Sequence, residues 1–386
     1  MSIPDVSEEN PFDFGIDPDL EEFRGPQGDR VAIIRTSDRM NFKRCRRRWG
    51  WQSHLRGNLS SLEQAAPLWY GSGFHYALED FHGHKKHPSA VAAFEAYVKA
   101  TYKQSKQTGI LLPYNWDELT VLGRGMLDYY VDTWLIARDP LRTFVYKGRP
   151  QVEVNAVIEI PYSTPHYDRV LYAVTLDRIV EDDNGHLWVV DYKTAKRIQT
   201  LFFQTDPQVS AYSWVASTMY PDREVVGFIY QQHRKDVPDF PKVLANGRLS
   251  INAKQKTTHR HYRACLQNQY GDVLNAPKEN IDFLNWLVGQ EDENRDFFVR
   301  RDRIFRNEHQ IQAEGEKLLL ELDDMLNPDL PLYPNPTREC GSMCHFNVPC
   351  INMDDGSDWE GELEMSFRQK DTQFDSWRNF LPEEFR

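Results

Sequence analysis

The middle of the chain alternates apolar and polar residues in a pattern typical of β-strands. Val152–Ile160 is apolar at every second position, which predicts a half-buried strand. Val170–Val180 predicts a second strand, and Leu187–Val190, apolar throughout, predicts a third at the centre of a sheet. A helix over 206–219 and a fourth strand over Val225–Tyr230 follow. The segment therefore has the order strand, strand, strand, helix, strand.

Helical periodicity dominates on both sides of this segment. The capping signal Thr36-Ser37-Asp38 predicts a helix over about 37–55, and Gly71-Ser72-Gly73 is expected to open a second one. Further helices are predicted over 88–106, 116–138 and, as one long amphipathic segment, 301–326.

The predicted hairpin brings two aspartates and a lysine close together. Asn184-Gly185 predicts a tight turn between the second and third strands, which brings Asp177 close to Asp191. Lys193 lies two residues after Asp191 and shares its face of the strand. Paired carboxylates bind Mg²⁺ or Mn²⁺, and an ammonium beside the metal can position an attacking water. A simple ion pair between Asp191 and Lys193 is the alternative.

Two helix pairs flank this set. His75 and Glu79 are one helical turn apart and could complete a metal shell, although such pairs are common without metal. Gln208 and Tyr212 also share a helical face and could contact a phosphate or support Lys193.

Three of the five cysteines lie together near the end of the chain, in the pattern Cys340-x₃-Cys344-x₅-Cys350. Cys45, almost 300 residues upstream, could supply a fourth thiolate. Four thiolates bind zinc or an iron–sulfur cluster, and spacing alone does not choose between them. Cys265 stands apart and is interpreted as an ordinary buried residue.

Cations surround Cys45. A helix with this many basic residues is typical of proteins that bind an anionic partner. DNA would provide phosphates for the cations and unpaired bases for stacking on the aromatic rings. The alternative is that the basic residues form a solvated helix face. The candidate DNA contacts are Lys43, Arg44, Arg46, Arg47, Arg48 and Trp49.

The net charge of −12 over 386 residues is concentrated at the two ends. Residues 1–30 carry −7 and residues 354–386 carry −6, so the rest is almost neutral and binding to DNA is not excluded. No run of 18 apolar residues predicts a membrane span, and no secretory signal is evident. The odd number of cysteines does not resemble a secreted disulfide framework, so we expect a cytoplasmic protein.

Five motifs in chain order resemble the RecB-type branch of the PD-(D/E)xK nuclease superfamily, especially its CRISPR-associated and phage-encoded exonucleases. They are Ser37 with Cys45, Gly73-x-His75 with Glu79, Asp177, Asp191-x-Lys193-Thr194, and Gln208-x₃-Tyr212. The sequence departs from the family at one position: Leu176 stands immediately before Asp177, where the family motif has proline. The resemblance implies an α/β, restriction-endonuclease-like core with a mixed central sheet, a helical N-terminal region and a C-terminal closure by the cysteines.

The same resemblance implies roles for the site residues. Mg²⁺ or Mn²⁺ would be bound by His75, Asp177, Asp191 and the backbone carbonyl of Tyr192, with Glu79 as a further candidate ligand. Lys193 would serve the attacking water, and Gln208 and Tyr212 would form the catalytic motif after the core. A [4Fe–4S] cluster would be held by Cys45, Cys340, Cys344 and Cys350, with zinc as the alternative.

We therefore expect a metal-dependent deoxyribonuclease, most simply an exonuclease acting on single-stranded DNA or DNA ends. A catalytically idle DNA-binding or scaffold protein, or a structure-specific endonuclease of recombination or repair, is the alternative. DNA is the expected partner, a helicase or recombination partner is compatible, and a phage-encoded protein would act in the host cytoplasm. The expected divisions are an acidic arm (1–30), a nuclease domain (31–353; core about 145–232, insert about 233–327, cluster-binding segment 328–353) and an acidic tail (354–386).

Overall fold

The computed structural model describes residues 30–62, 65–108, 111–135, 141–293 and 297–369. The predicted acidic arm, apart from Arg30, and the acidic tail beyond residue 369 lie outside the described residues.

The described residues form eleven strands. They are β1 (Val31–Arg35), β2 (Leu59–Ser61), β3 (Arg142–Thr143), β4 (Val145–Tyr146), β5 (Arg149–Pro150), β6 (Val152–Ile160), β7 (Arg169–Glu181), β8 (Leu187–Ala195), β9 (Val225–Arg234), β10 (Val299–Phe305) and β11 (Phe367–Gln369).

Twelve α-helices occur in the same part of the chain. They are α1 (Thr36–Arg44), α2 (Arg46–Gln52), α3 (Ala66–Glu79), α4 (Ala90–Thr108), α5 (Trp116–Tyr129), α6 (Pro207–Met219), α7 (His259–Tyr270), α8 (Lys278–Glu293), α9 (Glu308–Met325), α10 (Cys340–Met343), α11 (Asn347–Asp355) and α12 (Trp359–Ser366). Wider π-helical turns follow α3 and α5.

Seven strands form one mixed sheet in the order β1-β7-β8-β9-β10, with β6 and β3 on the other edge of β7. β1 runs parallel to β7 and β8 parallel to β9, whereas the other pairs are antiparallel. The predicted α/β fold with a mixed central sheet is confirmed, and so is the strand, strand, strand, helix, strand order of β6, β7, β8, α6 and β9.

The two faces of the sheet carry separate apolar cores. One core packs α1, α6 and α9 against side chains such as Val189 and Phe228. The other packs α3, α4 and α5 against Val190 and Ile229. Because neighbouring strand residues point to opposite faces, the continuous apolar run of β8 serves both cores.

Three segments differ from the predicted elements. The helix expected over 37–55 breaks at Cys45, which is extended and caps α2 by accepting the Arg48 N–H at its sulfur. The helix expected over 301–326 begins only at Glu308, because residues 299–305 form strand β10 and pair with β9 along their whole length. β1 was not predicted, since five residues are too few to give a clear period.

Residues 354–369, assigned to the acidic tail in the sequence, contain the end of α11, α12 and β11. β11 pairs with β2, and Phe367 packs with Phe346 and Trp51 in a small aromatic core. The segment that carries three cysteines is thereby fixed against the N-terminal helices. No helix among the described residues has both the length and the apolarity that crossing a membrane needs.

A buried ion-pair network joins the first and last large helices. Arg39 of α1 donates to Glu314 and Glu321 of α9 at 2.8 and 2.6 Å, and Glu314 is 1% exposed. Removing Arg39 would leave a carboxylate buried without its principal partner.

We expect Arg39→Met to lower the free energy of unfolding by about 3–5 kcal/mol, because Glu314 is then uncompensated. Urea titration of the variant and the wild type measures the difference. Arg39→Met/Glu314→Met should regain most of the loss, and Arg30→Met, which breaks an exposed pair with Asp168, should cost less than about 1 kcal/mol. A single Arg39 variant as stable as the Arg30 variant would contradict the argument.

Candidate active site

The candidate site lies where β7 lacks a neighbour on one edge. β1 pairs with residues 169–173 of β7 and β8 pairs with residues 178–181 on the same edge, so residues 174–177 face neither strand. Asp177 stands at the end of this interval. Its Oδ2 accepts the backbone N–H of Tyr192 at 2.7 Å, two residues beyond the last β7–β8 pair. The side chain therefore replaces the missing ladder bond.

His75 reaches this point from α3. Its Nε2 lies 2.8 Å from the carbonyl oxygen of Tyr192, and its Nδ1 lies 3.4 Å from Asp177 Oδ2. α3 begins at Ala66 and not at Gly71 as predicted, so His75 is in its third turn. Gly73 allows α4 to approach, because a Cβ there would lie 2.6 Å from the ring of Tyr97.

Glu153 belongs to the site but was not predicted. Its Oε1 is 3.7 Å from His75 Nδ1, and His75, Glu153 and Asp177 offer three ligand atoms within 4.8 Å of one another. Glu153 has φ +44°, a left-handed conformation inside β6, between the regular pairs Val152–Arg178 and Val154–Leu176. The only sequence signal was its polar position opposite Asp177, which no motif marks.

Asp191, Lys193 and Gln208 form the adjoining half of the site. Lys193 Nζ lies 2.8 and 2.7 Å from the two oxygens of Asp191, and Gln208 Nε2 donates to Asp191 Oδ1 at 3.1 Å. Asp206 caps α6 by accepting the Gln208 N–H, and this fixes Gln208 in the first turn. The ion pair offered as the alternative is present, but it belongs to a larger cluster.

The two aspartates have opposite pKa shifts. Burial raises the pKa of Asp191 to about 6, with Lys193 opposing and Asp177 reinforcing the shift. Burial also acts on Asp177, but His75, Lys193 and the Tyr192 N–H together outweigh it and lower the pKa of that carboxyl. Such separation of neighbouring carboxyl pKa values is frequent in catalytic sites.

The basic groups are held in their charged forms. Burial alone would lower the pKa of Lys193, yet Asp191 and Asp177 raise it. Burial alone would also lower the pKa of His75. The carboxylates of Asp177 and Glu153 outweigh burial and raise this pKa well above its ordinary value. The cluster thus places two cations among three carboxyl groups.

Two other predicted residues lie at the margin. Glu79 pairs with His84 at 3.0 Å, although its charge also contributes to raising the pKa of Glu153. Tyr212 is buried, and burial raises its pKa, with Asp191 reinforcing and Lys193 opposing the shift.

The structure brings the four predicted cluster cysteines together. Burial raises the pKa of Cys344, with Cys45 and Cys340 contributing, and Cys45 also contributes to the raised pKa of Cys350. Several N–H groups point at the sulfurs: Arg48 and Asn335 at Cys45, Thr337 at Cys340, and Arg47 at Cys350. Cys265 lies apart in the small core of α7 and α8.

The basic segment around Cys45 faces the protein's own acidic side chains. Lys43 pairs with Glu321, Arg44 with Glu339, Arg46 with Asp324 and Arg47 with Asp354. Arg48 Nε donates to Gln52. Trp49 is 1% exposed and packs edge-on against Phe42, so its ring offers no open face to a base. Four of these cations therefore already have acidic partners within the protein.

Comparison with known proteins bears on this arrangement. A search of curated proteins gave no match. A solved structure titled "Crystal structure of SSO0001" aligns over 82% of this chain and 84% of its own, with 13% identity and a TM-score of 0.29. The family model described as "PD-(D/E)XK nuclease superfamily" matches residues 37–350, which include every candidate site residue described above. The chain belongs to the PD-(D/E)XK nuclease superfamily.

Proposed function

We propose that this protein is a Mg²⁺- or Mn²⁺-dependent deoxyribonuclease of the RecB type that degrades single-stranded DNA or DNA ends as an exonuclease. Membership of the superfamily implies a metal-dependent nuclease that binds DNA. One observation carries the assignment of the site: His75, Glu153 and Asp177 gather within 4.8 Å beside the Asp191–Lys193 pair.

The donor set fits a hard divalent cation. Carboxylate oxygens and a backbone carbonyl are the ligands that Mg²⁺ and Mn²⁺ prefer, and an imidazole suits Mn²⁺ as well. His75, Asp177, Asp191 and the Tyr192 carbonyl would hold the ion, with Glu153 as an added candidate. The ion would polarise a phosphoryl oxygen and make a bound water more acidic. Glu79 is the weaker candidate because it pairs with His84.

The role proposed for Lys193 follows from its contacts. Asp191 and Gln208 hold the lysine side chain and its carboxylate partner in one orientation, and the raised pKa keeps the ammonium protonated. A fixed ammonium donates hydrogen bonds, so it can orient the attacking water and stabilise negative charge on the phosphoryl group.

We further propose that Cys45, Cys340, Cys344 and Cys350 hold a [4Fe–4S] cluster. The N–H groups directed at three of these sulfurs are typical of the surroundings of cluster thiolates. Zinc is the alternative occupant of four thiolates, but the chain lacks the paired Cys-x₂-Cys knuckles that zinc Cys₄ sites usually contain.

This cluster would join α10 and α11 to the break between α1 and α2. The domain limits, a helicase or recombination partner and a cytoplasmic location remain predictions. They rest on the sequence resemblance and on the cysteine count.

Asp191→Ala and Lys193→Ala should each lower Mn²⁺-dependent cleavage of linear DNA by at least about 10²-fold, because each removes a charge held at the reacting phosphate. The rate of nucleotide release from end-labelled DNA measures this. Asp183→Ala, in the exposed turn of the same hairpin, is the matched control and should cleave like the wild type. Undiminished cleavage by the Asp191 and Lys193 variants would refute the assignment of the site.

Circular single-stranded DNA should survive conditions under which the linear form is degraded, because an exonuclease needs an end. Gel analysis of both forms with Mn²⁺ gives the answer. Loss of the circle would identify an endonuclease. A wild-type protein that binds both forms and cleaves neither would be a binding protein with an idle site.

Anaerobically purified protein should be brown, with broad visible absorbance that bleaches on reduction, because thiolate-bound iron–sulfur clusters absorb in this way. Cys340→Ala should lose most of the absorbance and of the bound iron. Cys265→Ala removes a thiol outside the cluster and should keep both. A colourless wild type that contains about one zinc per chain would show that these cysteines bind zinc and not an iron–sulfur cluster.

A further inference from the structure

We propose that the loop between β8 and α6, residues 196–206, binds unpaired nucleotides next to the phosphate that is cleaved. Cleavage at Asp191 and Lys193 belongs to the proposed function, on which this inference rests. The binding surface itself depends on the loop's position, its exposed apolar side chains and its charge.

Two sets of contacts fix the loop beside the site. Gln199 N–H donates to the Gln232 side-chain oxygen at 2.8 Å, and Gln232 Nε2 donates back to the Gln199 carbonyl at 2.7 Å. Gln232 is the β9 residue that pairs with Lys193. Because paired residues of neighbouring strands share a face, the loop lies on the face of the sheet that carries Lys193.

The second set anchors the far half of the loop. Phe202 and Phe203 pack against Tyr230, with ring centroids 5.9 and 4.8 Å away. Tyr230 is the β9 residue that pairs with Asp191. The loop therefore returns past the partners of both Asp191 and Lys193, and it forms a wall along one side of the site.

The tip of this wall is apolar and open to solvent. Leu201 is 97% exposed, and Phe202 is also exposed although one side of its ring contacts Tyr230. Phe203, the next residue, is buried and holds the tip in place. Two neighbouring apolar side chains, presented on an anchored loop beside a polar site, offer a surface for the flat face of a base.

Cations stand at the base of the same loop. Lys196 and Arg197 are exposed, and neither has an acidic partner in the described part of the chain. Lys235 joins them from the end of β9, where its N–H donates to the Ala195 carbonyl at 2.7 Å. The Lys235 ammonium lies over the ring of Tyr70, 4.7 Å from its centroid. Burial lowers the pKa of Lys235, and the charge of Lys196 adds to this shift.

The combination favours a single strand over a duplex. Cations that track the backbone beside apolar or aromatic side chains are typical of proteins that bind unpaired nucleotides, because every base has a face for stacking. In a duplex those faces are stacked inside the helix, so Leu201 and Phe202 would have little to contact. The phosphates would lie on Lys196 and Arg197.

Fluorescence anisotropy with labelled oligo(dT) and a blunt hairpin duplex, in EDTA to prevent cleavage, tests the surface. Leu201→Ser should raise the Kd for oligo(dT) about three- to tenfold and change the Kd for the duplex less than about twofold. Lys196→Ser/Arg197→Ser should reduce the slope of log Kd against log salt by about 1.4, because each phosphate contact on a single strand contributes about 0.7.

Matched controls come from exposed sites elsewhere. Leu320→Ser on α9, where the side chain is 70% exposed, and Lys99→Ser/Lys103→Ser on α4 should bind oligo(dT) like the wild type. All six positions are exposed, so thermal unfolding should be unchanged. Loop variants that bind oligo(dT) like these controls, or that lose duplex binding equally, would overturn the proposal.

Cleavage of linear DNA with Mn²⁺ separates this proposal from the proposed function. A wild type that does not cleave, yet binds oligo(dT) in a manner that depends on Leu201, would refute the nuclease assignment and support the loop. A wild type that cleaves, with loop variants that bind and cleave equally well, would overturn the loop alone.

Discussion

The arrangement of the site depends on one hydrogen bond, donated by a backbone N–H group for which no neighbouring strand provides an acceptor. β1 and β8 lie on the same edge of β7 and leave residues 174–177 between them without a partner strand. The N–H of Tyr192 would then be buried without an acceptor, which costs about 1–3 kcal/mol. Asp177 accepts it. The same bond orients the peptide of Tyr192, whose carbonyl meets His75, so the opening in the sheet and the candidate ligand set have one origin.

Charge balance explains why so many carboxyl groups can share this opening. His75 lies between Asp177 and Glu153, and Lys193 lies on Asp191. Each acid therefore has a cationic neighbour. Burial raises the pKa of Asp191 and Asp177 adds to that shift, whereas the pKa of Asp177 is lowered. A divalent cation would take over the balancing role that the imidazole proton has for Asp177 and Glu153. The donors are thus organised for a cation by contacts among themselves.

The sequence predicted the parts of the site that local rules determine. Asn184-Gly185 defines the hairpin, and the hairpin makes Asp177 and Asp191 neighbours; the period of two places Lys193. Glu153 was not predicted, because its position depends on its own left-handed backbone conformation inside a strand, and no composition rule indicates this. β1 and β10 were not predicted for another reason. β1 is short and β10 is rich in charged residues, and each takes its strand conformation from pairing, β1 with β7 and β10 with β9.

The basic segment beside Cys45 shows what a local charge pattern cannot reveal about the partners of its cations. Five cations within six positions look like a phosphate-binding helix, yet four of them meet acidic residues that lie 278–307 positions later in the chain. Those long-range pairs cannot be inferred from a local window. Lys196 and Arg197 are fewer and less conspicuous, but they are exposed and without acidic partners among the described residues. Because an internal carboxylate already balances a paired cation, the proposed loop surface rests on these two cations and not on the basic segment.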